Sequence, residues 1–432
     1  SLEATEKLAH TALSVAPGFL AAEAGVSDPF LKDLLTESLT RVDPSNLALR
    51  AQLAARLAMT LHWSDADARV RESIELAREI SEELDDPVTH LHVLVARWFC
   101  EWHHDRPDER AVLADEIQSY AERLRDREMI LMGMMLRQVG MLERGETAAF
   151  DASFESFAGL ASELREPQSL WYTPLYRSMR ALMDGKVDRA VQLQGELETV
   201  VARVENANAF LSLATQSTFL AWERADSETM TPELLKGARR YPKIRAFRAG
   251  LAFSYCALGR VSEAAREFEI MARCGFSDVP ERFDWVAEVA TAGHVCCDLG
   301  DARRASGLYE LLRSSRRRFL IVGLGVFHFG SSDQLLGRLA DLAGRREEAE
   351  AHFQVAIERN SAAGAHAWLA HTKLDYAMLL ARSDTSGRRD FWVRLASEAL
   401  EAAVDLGMVN LREKAKAFLQ TGRACVDDQV NA

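Results

Sequence analysis

The stretch from Leu335 to Ile357 constrains this chain more than any other. Its apolar residues recur at helical spacing on both sides of Gly344, which reads as two antiparallel helices joined at that glycine. Gly344 can take the positive φ that ends the first helix, Ala349 lets the second lie close, and Phe353 wedges between them. Counted from the turn glycine, the same residue types return at the same offsets. Ala264 and Phe268 follow Gly259 by five and nine positions, Ala305 and Tyr309 follow Gly300 likewise, and the position seven before the glycine is Ala252, Gly293 or Gly337. Two helices crossing at short distance need a small residue there. Such a unit cannot bury its apolar face alone, so neighbouring units must stack into a solenoid.

The phase extends along the chain. Gly145 and Gly185 lie 40 residues apart, Gly259 and Gly300 41, and Gly300 and Gly344 44, while the 74 residues from Gly185 to Gly259 hold one further, weaker unit near Trp222. The reading is one helical-repeat array over residues 1–432, with divergent repeats over 1–240, clearer ones over 241–380 and a terminal helix pair over 390–421 around Gly407. Polar, Gly- or Pro-containing stretches interrupt it at Pro17–Pro29 and Ser383–Arg389. Residues 245–360 are expected to hold no strand. The longest apolar run, Phe319 to Phe327, is broken by two glycines and falls far short of the roughly 20 residues a membrane helix needs. Gly323 to Gly330 is therefore read as a flexible or close-packed entry to the unit that starts at 335.

Charge and cysteine usage narrow the functional classes. A net charge of −13 argues against direct nucleic-acid binding, which needs a basic face. The six cysteines, at 100, 256, 274, 296, 297 and 425, form no spaced framework, which suits a reducing compartment and a cytoplasmic location. No membrane partner is expected. The chain opens at Ser1 without methionine and is helical in pattern by Leu8, so it is expected to be a piece of a longer polypeptide.

No stretch carries a catalytic signature. Cys100 with His103 and His104, and His294 with Cys296 and Cys297, combine metal-ligand types, but each group lacks a second pair of ligands at metal-binding spacing. Cys296, four positions before Gly300, falls where repeats pack inward. Gly323 and Gly325 lack the spacing and strand–helix setting of a dinucleotide loop. There is no nucleophile elbow, no His-Glu-x-x-His run and no phosphate loop. The expectation is a protein that is not an enzyme in itself and uses no cofactor. Two features remain as candidate contacts. Arg303, Arg304, Arg313, Arg316, Arg317 and Arg318 form a basic cluster in an acidic chain, which reads either as a solvated helix end or as an anion or acidic-partner site, with Arg303 to His328 as the contact region. Trp98, Trp102, Trp222, Trp285 and Trp368 fall in or near first helices of pairs, where most would be core and one or two, with Trp285 and Trp368 as candidates, would face a groove.

These offsets of small, Gly, Ala and aromatic positions resemble tetratricopeptide repeats. The longer pitch is similar to the C-terminal helical arrays of large bacterial signalling ATPases of the AAA or STAND type. Trp171-Tyr172 following Pro167, Gly323 to Gly330, Gly364 to Ala370, and Leu406-Gly407-Met408 before Leu411 resemble phrases of that family. The resemblance implies an all-α superhelix acting as the sensor or protein-interaction region of a regulator, with a LuxR-type helix-turn-helix or a nucleotide cyclase as output. Its partners would be the adjacent ATPase and output domains of the same polypeptide, or a separate protein. Three alternatives stay open: a receptor for a small-molecule effector, which would show a closed pocket with convergent polar groups; a stand-alone protein-binding scaffold; and an enzyme on a helical toroid, which would require inward-facing acids and histidines from several units.

Overall fold

The computed structural model describes residues 2–15, 23–64, 66–204, 206–276, 279, 282, 284–382 and 387–430; residues 17–22 of the Pro17–Pro29 stretch and 383–386 of the Ser383–Arg389 loop lie outside them. Helices follow one another in antiparallel pairs, and each turn read from a glycine is present. Arg127–Arg144 meets Thr147–Leu164 at Gly145, Tyr172–Met183 meets Val187–Val204 at Gly185, and Ala246–Ala257 meets Val261–Met271 at Gly259. Trp285–Leu299 meets Ala302–Leu312 at Gly300, and Ser332–Leu342 meets Arg346–Ala362 at Gly344. The five glycines have φ between 68° and 79°. The weak unit near Trp222 turns without glycine, at Ala225 with φ 57°, between Ala207–Glu223 and the 3₁₀ turn Ser227–Met230 that leads into Thr231–Arg240. Arg125 and Arg165 adopt the same left-handed conformation between successive pairs. Helices also turn at Gly407, but there Arg389–Asp405 closes one unit and Val409–Val430 runs back inward to touch Ala207–Glu223 and His366–Ala381.

The offsets have a direct packing cause. A Cβ on Gly337 would lie 3.0 Å from the Phe353 ring, so the small residue seven before the turn and the aromatic nine after it are two halves of one contact. Gly293 instead faces the next unit, where a Cβ would come within 2.9 Å of Leu335. Second helices are amphipathic: Asp67–Glu83 buries the stripe Val70, Ile74, Ala77 and Ile80. First helices such as Pro87–Cys100 and Trp285–Leu299 are buried almost all round, because their own partner helix covers one side and the interior of the superhelix covers the other.

That interior holds what the sequence reading excluded. Phe319–Val322 and Phe327–Ser331 form an antiparallel hairpin, paired Phe319 with Ser331, Ile321 with His328 and Val322 with Phe327, with a bulge between Phe319 and Ile321. The expectation of no strand in residues 245–360 is therefore corrected, and the array is all-α in its walls but wraps a strand pair. Every hairpin residue is buried, so the apolar–polar alternation that marks a half-exposed strand is absent. The tip is closed by the Val326 N–H donating to the Val322 carbonyl at 2.9 Å, with Gly323 and Gly325 at positive φ.

Side chains from the surrounding helices meet the hairpin's backbone. The Tyr176 hydroxyl donates to the Leu324 carbonyl at 2.8 Å, and Gln216 Nε2 donates to the carbonyls of Val326 at 2.7 Å and Leu175 at 3.0 Å. Trp368 Nε1 donates to the His328 carbonyl at 2.7 Å, and the Ser331 N–H donates to Asn360 Oδ1 at 2.8 Å. At the base, Asp333 Oδ2 accepts the Arg317 N–H at 2.8 Å while its Oδ1 holds His352 Nδ1 at 2.7 Å. The wall comes round this hairpin and touches itself: Thr147 Oγ1 donates to the Ala363 carbonyl at 2.8 Å, and Arg359 Nη2 to the Arg144 carbonyl at 3.2 Å.

Replacing Phe353, 1 % exposed, by alanine removes the wedge between the two helices of its unit and should cost about 3–5 kcal/mol. Urea unfolding checks this: an unchanged midpoint would show that the offset register carries no packing energy.

Candidate concave cleft

Seven helices line a cleft of about 610 Å³ on the inner wall: Ala207–Glu223, Ala246–Ala257, Trp285–Leu299, Ser332–Leu342, Arg346–Ala362, His366–Ala381 and Val409–Val430. Trp222, Phe253, Trp368 and Phe418 give it aromatic walls, and a band of charged and polar side chains crosses it. Arg338 is the centre of that band. Its Nη1 donates to His294 Nδ1 at 2.9 Å, its Nη2 to Asp298 Oδ1 at 2.6 Å, and its Nε lies 3.9 Å from Asp375 Oδ1. Gln334 Nε2 donates to the other Asp375 oxygen at 2.5 Å. Beside them His371 Nε2 lies 2.8 Å from Glu223 Oε1, and Lys414 Nζ sits 5.7 Å from the centroid of the Trp222 ring.

The electrostatics fix how these groups behave. Burial would lower Arg338, but Asp375 and Asp298 more than offset it and hold the guanidinium charged, with its pKa raised. His294 is pushed well below its ordinary value, by burial first and then by Arg338 and other cations, so it is neutral. With Nδ1 accepting from Arg338, the proton of that neutral ring sits on Nε2, which has no hydrogen-bond partner. Gln334 Oε1 and Glu223 Oε2 are also buried without partners. Of these, His294 and Gln334 line the cleft, and Glu223 lies beside it behind His371. Cys297 lines it too, and burial pushes its thiol up, away from the reactive thiolate. Among the described residues, no three His, Cys, Asp or Glu side chains come together in a way that could hold a metal ion.

Of the residues singled out from sequence, Trp222, His294, Cys297, Phe353 and Trp368 line this cleft. Trp285 is buried elsewhere, with its ring stacked on His104 at 4.0 Å. Arg303 is exposed on Ala302–Leu312, and Arg304 pairs with Asp301 and Glu269, each at 2.5 Å. Arg313 pairs with Glu310 at 3.1 Å and Arg318 with Asp108 at 2.7 Å; Arg316 and Arg317 are exposed. His328 is 2 % exposed inside the hairpin. The arginines therefore sit along an outer helix and the hairpin base and do not meet His328, Trp285 or Trp368, and the segment from Phe319 to His328 is core and presents no surface to a partner. Sequence reasoning weighed His294 only as a metal ligand and missed Arg338, Gln334, Asp375 and His371; the five lie on three first helices of successive units. Their one sequence signal is a polar residue on the otherwise apolar face of a first helix. No family model matches the chain, and no curated protein matches it.

The inner histidines also set a pH dependence. His328 is pushed down to about 3, by burial first and then by Arg180, and its Nδ1 accepts the Gly330 N–H at 3.0 Å. A histidine whose folded pKa lies below its unfolded one takes up a proton on unfolding. Its contribution is thus complete above about pH 6.5 and is lost as pH falls toward 3, at about 1.4 kcal/mol per pH unit. His328→Asn keeps an acceptor but cannot titrate. Between pH 7 and pH 5 it should lose about 2 kcal/mol less stability than the wild type, measured by urea unfolding at each pH.

Proposed function

We propose that this chain is the non-catalytic sensor region of a bacterial signalling ATPase that controls transcription, and that the effector it senses is a small molecule taken into the concave cleft. The observation that carries this reading is the cleft itself: seven helices place aromatic walls around a polar band in which His294 and Gln334 keep unused hydrogen-bonding groups. Ligand sites combine apolar walls with a few placed polar groups in this way, whereas a groove for a peptide helix would be more uniformly apolar. The inward-facing acids do not favour an enzyme. Asp298 and Asp375 face Arg338, Glu223 faces His371, and Asp341 pairs with Arg382, so each carboxylate is already held. The signalling setting rests on the resemblance of the repeat offsets and phrases to those ATPase-linked arrays. A ligand that bound two shapes of the array unequally would shift their balance, and an attached ATPase would respond to the change in tilt.

A thermal-shift screen of a metabolite library tests the receptor reading. A compound at about 100 times its Kd adds about 2.7 kcal/mol of stability and should raise Tm visibly. The shift should disappear in Gln334→Leu, provided circular dichroism and the ligand-free Tm show the fold retained. Failure of every compound, or hits that survive Gln334→Leu, would remove the cleft from the reading. The ATPase setting has its own check, a phosphate loop in the coding sequence that adjoins residue 1.

A further inference from the structure

A second cavity, of about 160 Å³, lies at the hairpin tip and shares no lining residue with the cleft. Its walls come from parts of the chain that are far apart in sequence: Met59 and Phe99 from early units, Trp171 and Tyr172, Ile244, and the hairpin tip from Val322 to Val326. They are predominantly apolar. A neighbouring space of about 80 Å³ adjoins it through Leu211, Thr215, Ile244, Ala246 and Ala287.

Several of the polar groups on these walls are already committed. Asn208 Oδ1 accepts the Ala24 N–H at 2.8 Å, Thr215 Oγ1 donates to the Leu211 carbonyl at 2.9 Å, and Asp284 lies 3.5 Å from Arg282 Nε. His62 is pushed down to about 3, by burial and then by the Arg282 charge, so it adds no positive charge. Trp171 is not among them. Its side chain is 2 % exposed, and its indole Nε1–H is buried with no acceptor. Indole is a donor only, so an acceptor is the one group that completes it.

We infer that this cavity is a binding site for a small, uncharged, largely apolar molecule that carries one hydrogen-bond acceptor, such as a carbonyl, directed at Trp171 Nε1. The size fits, since an apolar cavity of about 150 Å³ takes up benzene. Charge is excluded because no free counter-charge faces the space and burying an unpaired ion is prohibitive. A ligand here would touch early units, middle units and the hairpin at once, and so would clasp the superhelix at its crossing point.

The test uses the full chain and two molecules of matched shape, acetophenone and ethylbenzene, titrated calorimetrically. Acetophenone is expected to bind roughly five- to tenfold more tightly, the worth of one neutral hydrogen bond. Trp171→Phe keeps an aromatic wall and removes the donor, so it should bring acetophenone down to the affinity of ethylbenzene and leave ethylbenzene unchanged. Ala246→Phe fills the space and should abolish both, with circular dichroism to confirm the fold. No binding of either molecule to the wild type overturns the site. Equal binding of the two, or a preference that survives Trp171→Phe, overturns the role of the indole, and binding that survives Ala246→Phe places the molecules elsewhere.

Discussion

A strand pair buried inside a helical wall brings two unpaired edges with it, and every part of this structure accommodates them. Among the described residues no third strand is there to meet those N–H and C=O groups, and each one left bare in the interior would cost about 1–3 kcal/mol. Tyr176, Gln216, Asn360 and Trp368 supply the missing partners, and they come from four different helices. Each such bond fixes how its helix is turned toward the interior. The hairpin therefore sets the azimuth of helices that lie far apart in the chain, and the close approach of Phe319 to Gly145, where a Cβ would come within 2.3 Å of the ring, does the same for a fifth.

The repeat pattern was legible because its cause is local. Gly337 and Phe353 are 16 positions apart and meet within one unit, so the contact leaves its mark as a fixed offset. Where local rules yield, the mark fades. Ala225 holds the left-handed turn that a glycine would hold more easily, at a cost of about 1–2 kcal/mol that surrounding packing must offset, and the unit around it could be placed only roughly. The hairpin carried a sign that went unread: two runs rich in β-branched and aromatic residues around a short glycine-containing connection. With both faces covered, neither run alternates, and periodicity alone does not separate such a run from a buried helix segment.

The cleft was legible only as scattered residues, Trp222, His294 and Trp368 among them, because nothing in sequence ties Glu223 to His294, Arg338 and His371. They are neighbours only once the wall has curved. The basic cluster was conspicuous for the opposite reason. Six arginines close together stand out in an acidic chain, yet in space Arg304, Arg313 and Arg318 are met by carboxylates from Asp301, Glu269, Glu310 and Asp108. Contrast with mean composition measures crowding along the chain, and the field at a surface depends on crowding in space. Trp368 shows how closely the two interior spaces depend on the hairpin: it lines the cleft and donates to the second strand, while Val326, two residues before that acceptor, lines the cavity and accepts from Gln216.

An array of repeats would ordinarily be able to fold as it leaves the ribosome, each unit docking on the one before. Here Tyr176 must wait for an acceptor 148 residues downstream, and Thr147 for one 216 residues away. At ordinary rates of synthesis the first of those delays is on the order of ten seconds. Through that interval the inner faces of the early units are complete but uncovered, a broad apolar surface waiting for its filling. The axle that orders the finished molecule thus makes its birth the time of greatest exposure, when a chaperone or a flanking segment of the nascent chain has the most to cover.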